Sequence, residues 1–306
     1  MNNNPLLTVA LCTHNHVDRL ERTLANIAGI QQPRSSWEFL VVDNGSRDFT
    51  PEFLRQRIWP EDWSVRVVCE EKLGIAHARN RAIAEAHGEY LIFLDDDENA
   101  DSEWLRAYEK LIAEHRPDAF GGRIEVLFED LRPRWLTDEL LGFLGKLDWS
   151  EQIKPLTDSS TPLYTGNFGF RRAIVETIGL FDASLGRRGQ ENNGGEDVDF
   201  YRRILRAGLQ VWWMPEAVIY HRIQAAKLKR SYFLDLHYRQ GRMEAIRKRG
   251  QGPRIPPPYL FGQLMRAVRA VWSQWRHSGR DATLRKEMNV AYFGGQILGW
   301  AFGPRS

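Results

Sequence analysis

Cysteine is scarce in this chain, with only Cys12 and Cys69 among 306 residues. Both sit in apolar segments that read as strands, which excludes a disulfide-stapled scaffold and fits reduced core thiols of a cytoplasmic protein. An excess of one charge sign is missing too. The formal charge is +2, too small for the basic footprint of a nucleic-acid binder, so no nucleic-acid partner is expected. No apolar run reaches the roughly 20 residues that crossing a bilayer takes, and Met1-Asn2-Asn3-Asn4-Pro5 lacks the basic-then-apolar order of a signal peptide. Two phosphate-binding signatures are also absent. The chain reads Cys12-Thr13-His14-Asn15-His16 where a dinucleotide fold would carry Gly-x-Gly-x-x-Gly, and it has no Gly-x-x-x-x-Gly-Lys-Ser/Thr loop.

What is present is an alternation of short apolar runs and helical periodicity from Leu6 to about Leu94, the pattern of βαβ units around a parallel sheet. Strands are expected at Leu7 to Leu11, Phe39 to Val42, Val65 to Cys69 and Tyr90 to Leu94. Between them, Asp18 and Glu21 read as a capping box for a helix with Leu20, Leu24 and Ile27 on one face. Thr50-Pro51 opens a second helix with proline at its first position, and Ile75 to His87 forms a third. A helix near Ser102 to His115 follows, then an irregular segment from Leu131 to Pro162 and a strand or loop at Tyr164 to Phe170. After a glycine- and asparagine-rich loop from Gly186 to Gly195, a helix from Glu196 to Ala207 and a strand near Gln210 to Met214 close the core.

Ligands of open parallel sheets gather beyond the carboxyl ends of the strands. Three polar clusters occupy those ends: Thr13-His14-Asn15, Asp43-Asn44-Gly45-Ser46 and Asp95-Asp96-Asp97. Consecutive carboxylates repel one another and raise each other's pKa unless a cation is present. With Glu98 next in the chain, the acidic run points to a divalent metal, and few hard oxygen ligands with room for phosphate oxygens suit Mg²⁺ or Mn²⁺. A solvated acidic turn or a helix cap has the same composition, and Glu196-Asp197 at a helix start reads equally well as a cap.

The surrounding stretches are more particular. Thr8 to Asn15, Phe39 to Thr50 and Gly74 to Asp97, with Ala78-Arg79-Asn80 and Gly88-Glu89-Tyr90 inside the last, occur in order before Thr165-Gly166-Asn167, Phe170-Arg171-Arg172 and Glu196-Asp197. Over roughly the first 220 residues this set resembles the family 2 glycosyltransferases of the GT-A fold. The resemblance implies an α/β, mostly parallel sheet with helices on both faces, in a catalytic domain at 1–225 with a nucleotide-binding half at 1–100 and an acceptor-binding half at 101–225. The change of composition from Lys227 onward marks a separate C-terminal helical extension at 226–306.

Carried over by position, Asp43 would accept a hydrogen bond from the nucleotide base, with Thr13 and Asn15 lining the same pocket. Asp95 and Asp97 match the Asp-x-Asp pair that approaches ribose, metal and diphosphate, with Asp96 between them on the donor side. Arg79 would brace the acidic loop or the phosphates, and His221 would join Asp95 and Asp97 as a metal ligand. Asp197 matches the general base, Glu196 a neighbour that orients the acceptor, and Gly166 and Asn167 the wall between donor sugar and acceptor. His14, His16 and His77 have no metal-ligand spacing and stay as lining or surface residues.

The implied activity is an inverting, metal-dependent transfer of a sugar from a nucleotide-diphosphate donor, a UDP-sugar for preference, to the hydroxyl of a glycan or lipid-linked glycan. Processive synthases carry Gln-x-x-Arg-Trp after the base motif, whereas Ile204-Leu205-Arg206-Ala207-Gly208 stands here, which implies single addition. A sugar nucleotidyltransferase would open with a glycine-rich, basic loop after the first strand, and that loop is absent. A non-catalytic binding module is disfavoured by Asp95, Asp97 and Asp197 together.

From Lys227 onward the composition turns basic and aromatic. Leu264, Val268, Val271-Trp272 and Trp275 recur at helical intervals with Arg266, Arg269 and Arg276 between them. A helix packed on the catalytic domain accounts for this, as does peripheral contact with an anionic membrane at the cytoplasmic face. Tyr292 to Phe302 is apolar but too short to span; it could dock on the domain, pair with a second chain as a homodimer, or dip into a bilayer surface.

Overall fold

The computed structural model describes residues 4–185 and 195–303. The expected Gly186 to Gly195 loop lies outside the described residues apart from Gly195 itself. The chain forms two compact units: one from residues 1–125 and 146–222, the other from 126–145 and 223–306.

In the first unit, β1 (Leu7–Thr13), α1 (Val17–Ile27), β2 (Trp37–Asp43), α2 (Thr50–Gln56), β3 (Val65–Cys69), α3 (Ile75–Glu85) and β4 (Tyr90–Asp95) follow the alternation of the sequence. β1 is buried along its whole length because it pairs in parallel with β2 on one side and β4 on the other. A strand covered on both faces reads as a continuous apolar run. β5 (Glu98–Ala100), α4 (Trp104–His115), β6 (Ala119–Phe128), β7 (Lys154–Leu156), β8 (Phe168–Arg171), α5 (Val175–Ile178), α6 (Glu196–Arg206) and β9 (Val211–Ile223) complete it.

Among the described residues the sheet order is β3-β2-β1-β4-β8-β6-β9-β5, with β7 on β9. The expected parallel sheet is the β3-β2-β1-β4 half. Beyond it, β8 pairs antiparallel with β4 and β6, and β9 antiparallel with β5 and β7. Strand and helix stop alternating after α4, so the crossovers that parallel pairing needs are no longer supplied.

Three local expectations are corrected. The Asp18 capping box does not form: α1 begins at Val17 with His16 at its N-cap and no side-chain cap bond. Cys69 is exposed at the end of β3, while Cys12 is the core thiol, its pKa pushed up to about 12 by burial. The strand expected to end near Met214 runs through Pro215 to Ile223, and this extension carries His221 and Arg222.

The second unit has its own apolar core, in which Leu136, Leu140, Leu141 and Leu144 meet Phe233, Leu284 and Met288. Its helices are α7 (Arg230–Arg249), α8 (Pro258–Ser278) and α9 (Leu284–Phe302). α7 and α9 approach so closely that a Cβ at Gly241 would overlap the Tyr292 carbonyl, and one at Gly295 the Tyr238 carbonyl. The apolar Tyr292 to Phe302 stretch is therefore docked on α7. No helix among the described residues is long and apolar enough to cross a membrane.

Candidate active site

The carboxyl ends of β1, β2 and β4 are tied together by side chains. Thr13 Oγ1 donates to Asp96 Oδ2 at 2.7 Å, and His16 Nδ1 lies 3.1 Å from the same oxygen. Asn15 holds a left-handed backbone with φ 55°. Its Oδ1 accepts from the backbone of Arg47 and Asp48, which fastens the loop after β1 to the loop after β2. Asp43, 6% exposed, accepts from Ser46 N at 3.1 Å. The buried Asn44 donates to the carbonyls of Glu70 and Lys72 and accepts from Gly74 N, closing the wall toward α3. Side-chain bonds thus tie the segments after β1, β2 and β4 together at the carboxyl edge of the parallel strands.

The acidic run divides at the end of β4. Asp96 turns inward to Thr13, and its carbonyl accepts from Thr23 Oγ1 at 2.8 Å and from Arg222 Nη2 at 3.1 Å. Glu98 is buried and accepts from Asp95 N at 2.9 Å. Burial, with the neighbouring charge of Asp95, pushes its carboxyl well above the ordinary range. A Cβ at Gly166 would overlap Glu98 Oε1, so only glycine fits above this carboxyl.

Asp97 takes the other direction. The antiparallel register of β5 on β9 sets Glu98 opposite His221, and His221 Nε2 comes to 3.5 Å from Asp97 Oδ2. Arg222 N donates to the Asp97 carbonyl at 2.9 Å, and Arg19 Nη1 stands 3.8 Å from the Asp97 carboxylate. The three expected metal ligands are therefore split: Asp97 and His221 face each other while Asp95 faces Arg79. Among the described residues no three His, Cys, Asp or Glu side chains gather as a metal cage. A carboxylate and an imidazole at this separation fit one ion with bonds of about 2.1 Å whose other positions belong to phosphate oxygens and water.

Arg79 connects this end of the sheet to α6. It is buried in α3, with Nη1 donating to Glu196 Oε1 at 2.7 Å and Nη2 3.4 Å from Asp95 Oδ1. Burial works against its charge, but Asp95, Glu196 and Asp197 outweigh that and raise its pKa. Asp197 follows at the first turn of α6 and accepts from Val198 N at 2.8 Å. Burial, then the Glu196 charge, raise its pKa, with Arg79 opposing them. The result is an acid held near a guanidinium yet with its proton affinity increased, which suits a general base better than an ordinary surface carboxylate. The charge of Asp197 also raises the Tyr164 phenol, after burial of the ring.

Asn167 occupies a different place from the one its motif implied. It is 1% exposed, its Oδ1 accepts from Trp104 Nε1 and Tyr108 OH, and its Nδ2 donates to the carbonyls of Arg123 and Ala217. All four bonding positions of the amide are filled, so it locks α4, β6 and β9 together and has nothing left for an acceptor. Arg222 was missed by sequence reasoning because a lone arginine after a strand carries no spacing signal.

The parallel half-sheet continued by antiparallel strands is the GT-A fold, and this protein is a glycosyltransferase. Residues 8–179 match the profile described as glycosyl transferase family 2, and the chain belongs to that family. It is 26% identical over 217 residues to glycosyltransferase AglE of Haloferax volcanii, covering 71% of this chain and 67% of that protein. It is 25% identical over 238 residues to the succinoglycan biosynthesis protein ExoM of Rhizobium meliloti, covering 77% and 72%. The mannosyltransferase PcManGT from Pyrobaculum calidifontis, solved with GDP-Man and Mn²⁺, shares the fold with a TM-score of 0.60 at 19% identity, covering 98% of this chain and 87% of that one.

Proposed function

We propose that this glycosyltransferase moves one sugar, with inversion, from a nucleotide-diphosphate donor to an acceptor hydroxyl, with Asp197 as the base. The observation that carries the proposal is the Arg79 bridge, at 2.7 Å to Glu196 and 3.4 Å to Asp95. It sets the opening acids of α6 beside the end of β4, where the diphosphate of a donor belongs.

In this reading Asp43 accepts a hydrogen bond from the nucleotide base, and Thr13 and Asn15 shape the pocket around it, Asn15 through the loop it fastens. Asp95 meets the ribose side of the donor. Asp97 and His221 would hold Mn²⁺ or Mg²⁺, which when bound offsets the charge of the departing nucleoside diphosphate. Asp197 takes the proton of the acceptor hydroxyl, and Glu196, fixed by Arg79, orients that hydroxyl. The buried backbone at Gly166 forms the partition over Glu98, and Asn167 holds the partition from behind. UDP-sugars are the favoured donors. The name of ExoM supports a glycan acceptor in polysaccharide synthesis, and a lipid-linked glycan has the same reacting group.

The test pairs turnover with binding. The purified chain is offered UDP-, GDP- and dTDP-sugars with Mn²⁺ and a glycan acceptor, and nucleoside diphosphate release is followed. The Asp197→Asn variant should bind nucleoside diphosphate with Mn²⁺ by calorimetry as the wild type does, while turnover falls by about 10²–10⁴. Retained turnover removes Asp197 as the base. Binding without turnover of any donor by the wild type would identify a binding module instead.

A further inference from the structure

The second unit carries an exposed apolar stripe on α8. On α8, Phe261, Met265, Val268, Trp272 and Trp275 fall at alternating spacings of four and three residues, and so along one side of the helix. They are 49%, 54%, 45%, 56% and 55% exposed. Within the whole helix only Leu260 and Ala267 are buried. The stripe continues into an open apolar groove of about 730 Å³, where Val268, Trp272 and Trp275 face Leu234 of α7 and Val290 and Ala291 of α9. Contiguous apolar surface of this kind marks a binding face.

Charge selects what covers it. α8 contains no Asp or Glu, while Arg269 and Arg276 follow the stripe along one flank and Arg266 lies further round. The Arg276 guanidinium sits over the Trp272 ring at 4.6 Å from its centroid. Residues 227–306 hold 16 Lys and Arg against 4 Asp and Glu, whereas residues 1–226 hold 26 against 36. A second copy of α8 laid against this stripe would bring arginine against arginine, with no acid on either helix to meet them. An anionic surface meets every one of these charges, and tryptophans beside arginines are the side chains that settle at the headgroup boundary.

We infer that α8 is a membrane-surface helix: it lies in the plane of an anionic lipid bilayer with Phe261, Met265, Val268, Trp272 and Trp275 in the acyl boundary and its arginines among the headgroup phosphates. Attachment through a surface helix of this kind is reversible and depends on apolar burial and charge together. Each arginine near the surface contributes about fivefold in partitioning, and the attraction weakens as salt rises.

The test is flotation of the full chain with vesicles, which needs neither donor nor acceptor and so stands or falls apart from the transfer reading. The chain should float with phosphatidylcholine vesicles containing phosphatidylglycerol, and remain in the aqueous layer with phosphatidylcholine alone. Trp272→Ser with Trp275→Ser should lower partitioning at least tenfold, and Arg269→Gln with Arg276→Gln should lower it while flattening its salt dependence. These side chains are more than half exposed or at the helix surface, so unchanged thermal unfolding of each variant shows that the unit still folds. Equal flotation with both vesicle types, or flotation unaffected by the tryptophan pair, overturns the inference. A concentration-dependent dimer that dissociates in the tryptophan variant, without vesicle binding by the wild type, assigns the stripe to a second copy and overturns it as well.

Discussion

Arg79 Nη1 donates to Glu196 Oε1 at 2.7 Å across 117 positions of chain, and the two side chains are 5% and 8% exposed. Removing one member of a buried pair leaves the other charge uncompensated, at a cost of about 3–5 kcal/mol. In Arg79→Ala the uncompensated charge is chiefly that of Glu196, because Asp95 is 38% exposed and screened by water; the urea midpoint should fall and transfer should disappear with it. Arg79→Lys should recover only part of both, because one ammonium cannot serve two carboxylates as a guanidinium fork does. An alanine variant with wild-type stability would show that the bridge is not structural.

Asp197 has its pKa raised by burial and by Glu196, and this fixes the sign of two pH effects. As a base it acts only when deprotonated, so kcat/KM should rise with pH along an acid limb whose midpoint lies above the ordinary range near 3.9. For stability, a carboxyl that binds its proton more tightly when folded contributes most below its unfolded pKa, and the contribution is lost as pH rises through the folded pKa. Asp197→Asn should therefore be at least as stable as the wild type at neutral pH while lacking activity. A pH-rate profile and thermal unfolding of the two proteins check both halves. An acid limb at or below the ordinary aspartate range removes the reading.

Asp97 and His221 face each other at 3.5 Å, so the requirement for divalent metal should run through both. Chelation with EDTA should stop transfer and added Mn²⁺ restore it. His221→Gln should raise the Mn²⁺ concentration for half-maximal activity by about tenfold or more, and Asp97→Asn should raise it further because a charged ligand is lost. Turnover that survives exhaustive chelation would set the metal reading aside.

Residues at strand ends were legible in the sequence, because an apolar run that stops at a polar cluster marks both the strand and the mouth of a parallel sheet. β1, β2 and β4 and the clusters after them fall where that logic placed them. His221 beside Asp97 and Glu196 beside Arg79 depend instead on antiparallel register and on tertiary approach across more than a hundred residues, and neither leaves a periodic trace. Asn167 shows the opposite difficulty. Its motif was visible, but only the count of its hydrogen bonds separates an acceptor contact from an internal clamp. β9 differs in a third way: the strand expected near Gln210 to Met214 continues through Pro215 to Ile223 and brings His221 and Arg222 against Asp97 of the acidic turn.

Gly166 lies directly over Glu98, and a methyl group there would overlap the carboxyl oxygen and press on the carboxyl carbon. Overpacking of a buried site costs about 1–3 kcal/mol, so Gly166→Ala should lower the unfolding midpoint. The displaced carboxyl also holds Asp95 N at 2.9 Å, so the same variant should weaken donor binding although position 166 carries no side chain to touch the donor. The overlap has a single origin, which a double-mutant cycle can isolate. In a Glu98→Ala background the added methyl has room, and Gly166→Ala should then cost much less, with a coupling of about 0.5–3 kcal/mol between the two sites. Equal costs in both backgrounds would place the steric conflict elsewhere and detach Gly166 from the acidic turn.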